Sequence, residues 1–261
     1  MFARQSQILN TIAQEGKADI GRLAEFCGVS QVTVRKDLTA LEEKGLIQRQ
    51  HGFAILKAEN DINNRLALHY EEKLDLSRRA AEFVEDGEVI FVESGSCCAL
   101  LAEQINRIHR NVTMITYSAY IATQTKLTNG NQIILLGGVL VPEAKVTVGP
   151  MTIDALANFS VDKFFTGTDG ITPNWEFTAK DLMLSEVIRA MARRSKKTIV
   201  LTDSSKFQRQ GTVTIFPVSD VYAVYTDWKC QQEIRDYLAD NNVILNTGEE
   251  LEQTEQEVRY A

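Results

Sequence analysis

Residues 19–53, DIGRLAEFCGVSQVTVRKDLTALEEKGLIQRQHGF, constrain the fold more than any other stretch of this chain. At about 100° per residue Ile20, Leu23, Ala24 and Cys27 share one face, which predicts a short amphipathic helix broken at Gly28. Ser30 follows as the N-cap of a second helix, its hydroxyl placed to accept from an unpaired N–H of the first turn. In that helix Val34, Leu38 and Leu41 point inward. Val32, Arg35, Lys36 and Thr39 fall on the opposite face, flanked by Gln31 and Thr33. Two helices joined by a tight Gly turn, the second with Arg, Lys and small polar residues outward, predict a helix-turn-helix that lays its second helix in a major groove.

The flanks extend the motif. Residues 4–15 read as a backing helix with Ile8, Leu9, Ile12 and Ala13 on its apolar side, and the second helix runs to Gly45. Residues 46–56 read as two short strands around a turn, so the unit is a winged helix-turn-helix occupying residues 1–57. The string VSQVTVRKDLTALEEKGLIQRQHG resembles the DNA-binding motif of the DeoR family of bacterial transcription regulators. That family carries a serine, Thr-Ile-Arg-Arg-Asp-Leu, a Leu-Glu pair and a hairpin ending His-Gly-Gly. This chain has Ser30, residues 33–38 as TVRKDL, Leu41-Glu42 and His51-Gly52, and departs at Phe53, where a second glycine is usual. The resemblance implies base-edge contacts from Gln31, Val32, Arg35, Lys36 and Thr39, with Arg35 or Lys36 pairing with guanine. It implies phosphate contacts from Ser30 and Thr33, and hairpin contacts to phosphate or minor groove from Arg49 or His51.

Charge is distributed to suit such a module. The net charge is −7, but residues 1–57 hold eight Lys or Arg against six Asp or Glu, and the remainder twenty against twenty-nine. A basic excess this small requires placed phosphate contacts, and a dimer or tetramer that engages repeated half-sites. At 261 residues, 44% hydrophobic and 24% charged, the chain is long enough for a second domain and ordinary for a globular protein. It contains no apolar run of membrane-spanning length and no signal-peptide core, so a cytoplasmic location without membrane contact is expected. Cys27, Cys97, Cys98 and Cys230 lack zinc-ligand spacing, so no metal, disulfide framework or cofactor is expected.

Residues 58–86 read as a polar linker, 58–64, and a connecting helix over 65–85, with Leu66, Tyr70, Leu74, Ala80, Ala81 and Val84 inward and Glu71, Glu72, Arg78 and Arg79 in solvent. Across residues 87–246 continuous apolar strands alternate with helices, which predicts an α/β fold: a doubly wound, mainly parallel sheet. Residues 247–261 are an acidic tail expected to be unstructured. In such sheets ligands bind at the carboxyl ends of the strands. Those ends are Glu93-Ser94-Gly95-Ser96-Cys97-Cys98, Thr116-Tyr117-Ser118, Gly137-Gly138 and Asp203-Ser204-Ser205-Lys206. The first of them runs into a helix, so its N–H groups form a ready anion site.

This half also resembles the DeoR effector domain, which looks like the sugar-phosphate isomerase and CoA-transferase fold. The family pattern is Asp-x-Gly-Ser-Thr, Thr-Asn-Ser, Gly-Gly and Asp-x-x-Lys-Phe. Its counterparts here are Glu93 to Cys97, Thr116 to Ser118, Gly137-Gly138 and Asp203 to Phe207, and the stretch TGTDGI at 166–171 matches as well. Glu93, Cys97 and Tyr117 depart from the pattern. The resemblance implies a phosphorylated sugar or related metabolite bound by Ser94, Gly95, Ser96, Cys97, Thr116, Ser118, Gly137, Gly138, Asp169, Asp203 and Lys206. Lys206 would stand over the phosphate, and Asp203 would accept sugar hydroxyls or position the lysine.

Three functions of different class follow. The first is a regulator of double-stranded DNA, a repressor of carbohydrate uptake or catabolism genes whose operator affinity the metabolite changes. The second is an isomerase-like enzyme with Asp169 or Asp203 as base and Lys206 as electrostatic partner. The third is a redox-responsive regulator acting through Cys97 and Cys98 at a helix N-terminus.

Overall fold

The computed structural model describes residues 3–43, 47–50, 52–55 and 62–248. His51, Gly45, residues 58–61 of the expected linker and residues 249–261 of the expected tail lie outside the described residues.

The first unit runs α1 (Ala3–Glu15), β1 (Lys17–Asp19), α2 (Ile20–Cys27), α3 (Gln31–Glu43), β2 (Gln48–Gln50) and β3 (Phe53–Ile55). Both short helices start on side-chain caps, because their first N–H groups have no intrahelical acceptor. Asp19 Oδ1 accepts from the N–H of Gly21 and of Arg22 at 2.8 and 3.1 Å, and Ser30 Oγ accepts from Thr33 N–H at 3.2 Å. Gly28 closes α2 in the left-handed region at φ 63°, a conformation open to glycine at no steric cost. Ile8, Leu9, Ile12, Leu23, Val34, Leu38 and Leu41 are fully buried between the helices. The wing has a third strand that periodicity could not register: β1 pairs antiparallel with β3, giving the order β1-β3-β2. A three-residue strand with one buried side chain, Ala18, is too short for alternation to show.

The connecting segment differs from the single helix expected over 65–85. It forms α4 (Ile62–Ala67), which takes in residues assigned to the linker, and α5 (Tyr70–Ala81), with His69 between them at φ 51°. The break is stabilised by Lys73, whose Nζ reaches back to donate to the carbonyls of Arg65 and Leu68 at 2.6 and 2.7 Å. These carbonyls sit at the C-terminal end of α4, where intrahelical donors run out.

The second unit continues as β4 (Val89–Val92), α6 (Ser96–Ile108), β5 (Thr113–Thr116), α7 (Ala119–Gln124), β6 (Gln132–Leu135), β7 (Val139–Val141), β8 (Val146–Val148) and α8 (Pro150–Ala155). There follow β9 (Val161–Thr166), β10 (Gly170–Ile171), β11 (Glu176–Ala179), α9 (Leu182–Ala192), β12 (Ser195–Leu201), β13 (Val213–Pro217), β14 (Ala223–Tyr225), α10 (Gln232–Asp240) and β15 (Ile244–Asn246). Seven strands form one sheet in the order β15-β14-β12-β9-β4-β5-β6, every neighbouring pair parallel. The antiparallel sheet β10-β11-β13 and the hairpin β7-β8 are additions the sequence reading did not contain.

Alternation along β4 shows how both faces are covered. Ile90 and Val92 join an apolar cluster with α4, α5, α6 and the helix-turn-helix core, whereas Phe91 points to the cluster built by α9, α10 and the small sheets. The reading unit and one face of the sheet therefore share a continuous core. From β4 the chain winds one way to β5 and β6, and the other way through β9, β12, β14 and β15. The switch point of this doubly wound sheet lies between β4 and β9.

Candidate functional site

The outward face of α3 carries exposed Gln31, Val32, Arg35 and Lys36, with Val32 65% exposed, and half-buried Thr33 and Thr39. Opposite them Asp37 is buried. Its carboxylate accepts from Arg4 Nε at 2.6 Å and from Gln5 Nε2 at 3.2 Å, which sets the angle of α3 against α1. Ser30 Oγ is engaged in the cap and also lies 3.0 Å from Thr33 Oγ1.

Arg49 is not a free hairpin arginine. Its Nε and backbone N–H donate to the two carboxylate oxygens of Glu42 at 2.7 and 3.0 Å, and its Nη1 donates to Thr39 Oγ1 at 3.0 Å. The Arg49 N–H, then its guanidinium, hold the Glu42 carboxyl below its ordinary range. Arg49 thereby clasps β2 to α3 and orients the wing. Phe53 stands 41% exposed with Lys17 Nζ 5.6 Å from its ring centroid.

A cavity of about 610 Å³ opens where the switch point predicts, at the carboxyl ends of β4, β9 and β12. It is lined by six of the expected residues: Gly95, Ser96, Cys97, Asp169, Asp203 and Lys206. Thr116, Ser118, Gly137 and Gly138 do not line it, because β5 and β6 lie on the far side of β4 from the switch point, and Ser94, at the end of β4 itself, does not because its hydroxyl turns to Glu93 Oε1 and Tyr117 OH. Their groups serve the fold instead. Thr116 Oγ1 accepts from Ser118 N–H at 3.1 Å, Ser118 Oγ caps α7 through Ile121 N–H at 3.2 Å, and Gly137 O accepts from the Thr152 hydroxyl at 2.8 Å. Gly138, at φ 153°, lies so close to β8 that a Cβ would stand 2.7 Å from Val148 O.

The anion site expected at the turn after β4 is already filled from within. Glu93 is buried, and its Oε2 accepts from the N–H of Gly95 at 2.6 Å and of Gly167 at 3.3 Å. Its Oε1 accepts from Ser94 Oγ at 2.9 Å and Tyr117 OH at 2.8 Å. Four donors saturate one carboxylate.

Cationic side chains take over around the cavity. Lys73, 4% exposed, sits 3.8 Å from Asp203 Oδ2. Burial pushes the Lys73 pKa down, opposed by the Asp203 carboxylate. Burial pushes Asp203 up, but Lys73 and the Ser205 hydroxyl together outweigh it and leave the carboxyl below its usual range. Lys206 Nζ lies 3.9 Å from Asp169, whose other oxygen accepts from Lys180 N–H at 3.0 Å. Arg65, from α4, lines the same cavity, and its buried Nε has no hydrogen-bond partner.

Arg65, His69 and Lys73 escaped the sequence reading, which placed this helix outside the site. The signal existed: residues 66, 70, 73, 77, 80 and 84 share one face at helical spacing, and a lysine in that otherwise uncharged stripe must be buried and paired. The same segment touches the reading unit, since His69 N–H donates to Asn10 Oδ1 of α1 at 3.2 Å.

Cys97 and Cys98 are buried, and burial pushes the Cys97 thiol up to about 12 and Cys98 well above its ordinary value. Among the described residues no group of three or more His, Cys, Asp or Glu is placed to hold a metal, and no helix is long and apolar enough to cross a membrane.

Residues 4–59 match the family model of the DeoR-like helix-turn-helix domain, and residues 68–228 that of the DeoR C terminal sensor domain. The glycerol-3-phosphate regulon repressor of Escherichia coli K12 is 29% identical, over 93% of this chain and 97% of its own. The L-fucose operon activator of the same organism is 29% identical, over 86% of this chain and 94% of its own. Among solved structures, ribose 5-phosphate isomerase A of Methanocaldococcus jannaschii is 19% identical, with a TM-score of 0.38 over 53% of this chain and 54% of that one.

Proposed function

The chain belongs to the DeoR family of transcriptional regulators, and on that footing we propose that it represses carbohydrate uptake or catabolism genes until a phosphorylated sugar or related metabolite enters the cavity. Gln31, Val32, Arg35, Lys36 and Thr39 read base edges, and Ser30 and Thr33 meet phosphates. Arg49 holds the wing in register through Glu42 and Thr39. In the cavity the orphaned Arg65 Nε and the Lys206 ammonium take the anionic group, and Asp203, steadied by Lys73, accepts sugar hydroxyls.

One observation carries this reading: the segment that lines the cavity with Arg65, His69 and Lys73 is the segment hydrogen-bonded to α1 through His69 and Asn10. A ligand that draws Arg65 inward moves α4 against the reading unit, and coupling of that kind is worth about 1–3 kcal/mol. The protein is a regulator rather than an isomerase in this reading, because Asp203 is committed to Lys73 and Ser205 and Asp169 to the Lys180 amide. It acts in the cytoplasm, on DNA.

The test is fluorescence anisotropy on a labelled fragment of the upstream region of its own gene, at fixed salt, with and without a panel of sugar phosphates. Sequence-specific binding relieved by one compound supports the reading. Binding indifferent to sequence and to every compound removes it, and conversion of any of those sugar phosphates by the pure protein restores the enzyme.

A further inference from the structure

The two ends of the seven-stranded sheet differ in character. At one end β15 is three residues long, and its Asn246 is held by Arg79, whose Nη1 donates to the Asn246 carbonyl at 3.1 Å. At the other end β6 pairs with β5 on one side and with no strand on its outer side among the described residues. Ile134 and Leu135 of this edge are 37% and 43% exposed. Val139 and Leu140 follow at 65% and 55%, on β7, which among the described residues pairs with β8 alone. Between Lys126 and Glu143 the chain runs sixteen residues without a charge, although 24% of its residues are charged.

Strand edges in soluble proteins are defended by charged side chains, proline within the strand, bulges or a covering element, since open N–H and C=O groups template further pairing. Along β6 there is no charged side chain, no proline and no shift of register against β5, and among the described residues no strand covers its outer side. The absence of charge also selects the occupant. Across a two-fold axis each side chain near the axis faces its own copy, so any charge there meets its like. A neutral strip avoids that repulsion, and it offers a partner of opposite charge nothing to recognise. A strand edge is self-complementary in addition, because two copies of one strand related by a two-fold axis run antiparallel and exchange backbone hydrogen bonds.

We propose that the β6–β7 edge is the surface through which two copies of this chain associate, β6 pairing with β6 of the copy so that the two sheets become one. The two-fold arrangement supplies two reading helices for paired half-sites, as the small basic excess of residues 1–57 demands. The inference rests on the sheet edge and is independent of what the cavity binds.

The test is sedimentation velocity on the full chain at micromolar concentration. The wild type sediments as an even-numbered oligomer, and Ile134→Glu with Val139→Glu sediments at half that mass with unchanged far-UV circular dichroism. Leu182→Glu, at an equally apolar position on α9 that is 56% exposed, keeps the wild-type mass. A monomeric wild type overturns the proposal, and so does a double variant that keeps the wild-type mass. If the double variant fails to fold, Ile134→Cys decides: oxidation joins two copies through that residue if the strands pair about it, and a chain that stays uncrosslinked overturns the proposal.

Discussion

The Tyr117 hydroxyl donates to Glu93 Oε1 at 2.8 Å, tying the end of β5 to the end of β4 beneath the cavity. Both residues are departures from the family pattern, which has the shorter Asp and Asn. In this chain the two changes form one unit, the carboxylate met by the buried phenol. Removing the hydroxyl leaves a buried carboxylate one donor short. Tyr117→Phe is therefore expected to lower stability by about 2 kcal/mol, read as a lower urea midpoint at unchanged slope.

Asp37 faces inward from the reading helix and receives Arg4 and Gln5 of α1. The Arg4 side chain is 36% exposed, so water compensates part of its loss. Asp37→Ala should cost about 1 kcal/mol in urea unfolding and weaken binding to all DNA sequences alike, because it disturbs the angle of α3 and none of its outward contacts.

Arg35 is exposed on the opposite face of the same helix. Arg35→Ala is expected to cost about 1–3 kcal/mol on the preferred operator and less on other DNA, measured by anisotropy titrations at one salt concentration. An equal loss on every sequence would place Arg35 on phosphate alone.

The Asp203 carboxyl lies below its usual range in the folded chain, burial being outweighed by Lys73 and Ser205. A carboxyl with a depressed folded pKa contributes stability that is complete above its unfolded value of about 4 and disappears as pH falls through the folded value. Asp203→Asn should therefore be less stable than wild type at pH 7, by about 3 kcal/mol since Lys73 stays buried without its counter-charge. The gap should narrow below about pH 4, and urea melts at the two pH values measure it.

Burial lifts the Cys97 thiol to about 12 and Cys230 to about 11. The thiolate is the reactive species, so labelling of these cysteines and Cys98 at pH 8 should be slow in the native chain and fast in denaturant. Operator affinity should be unchanged by peroxide, and loss of affinity that Cys97→Ser and Cys98→Ser abolish would revive the redox regulator.

What the amino-acid order determined by itself was local. The cap at Ser30, the stop at Gly28 and the outward Arg35 and Lys36 depend on residues within one or two helical turns, and so do the apolar runs that became β4, β9 and β12. Spacing alone carries that information. Tertiary structure decided which strand ends form the cavity, because strand order, absent from any short window, puts β4 beside β9 and leaves Thr116, Ser118, Gly137 and Gly138 outside. It decided as well that Arg49 clasps Glu42, that Tyr117 and Gly167 reach Glu93, and that Lys73 stands against Asp203. Each of these pairs a charge with a partner that folding, not sequence proximity, brings near, and a charge leaves water only when such a partner is in place.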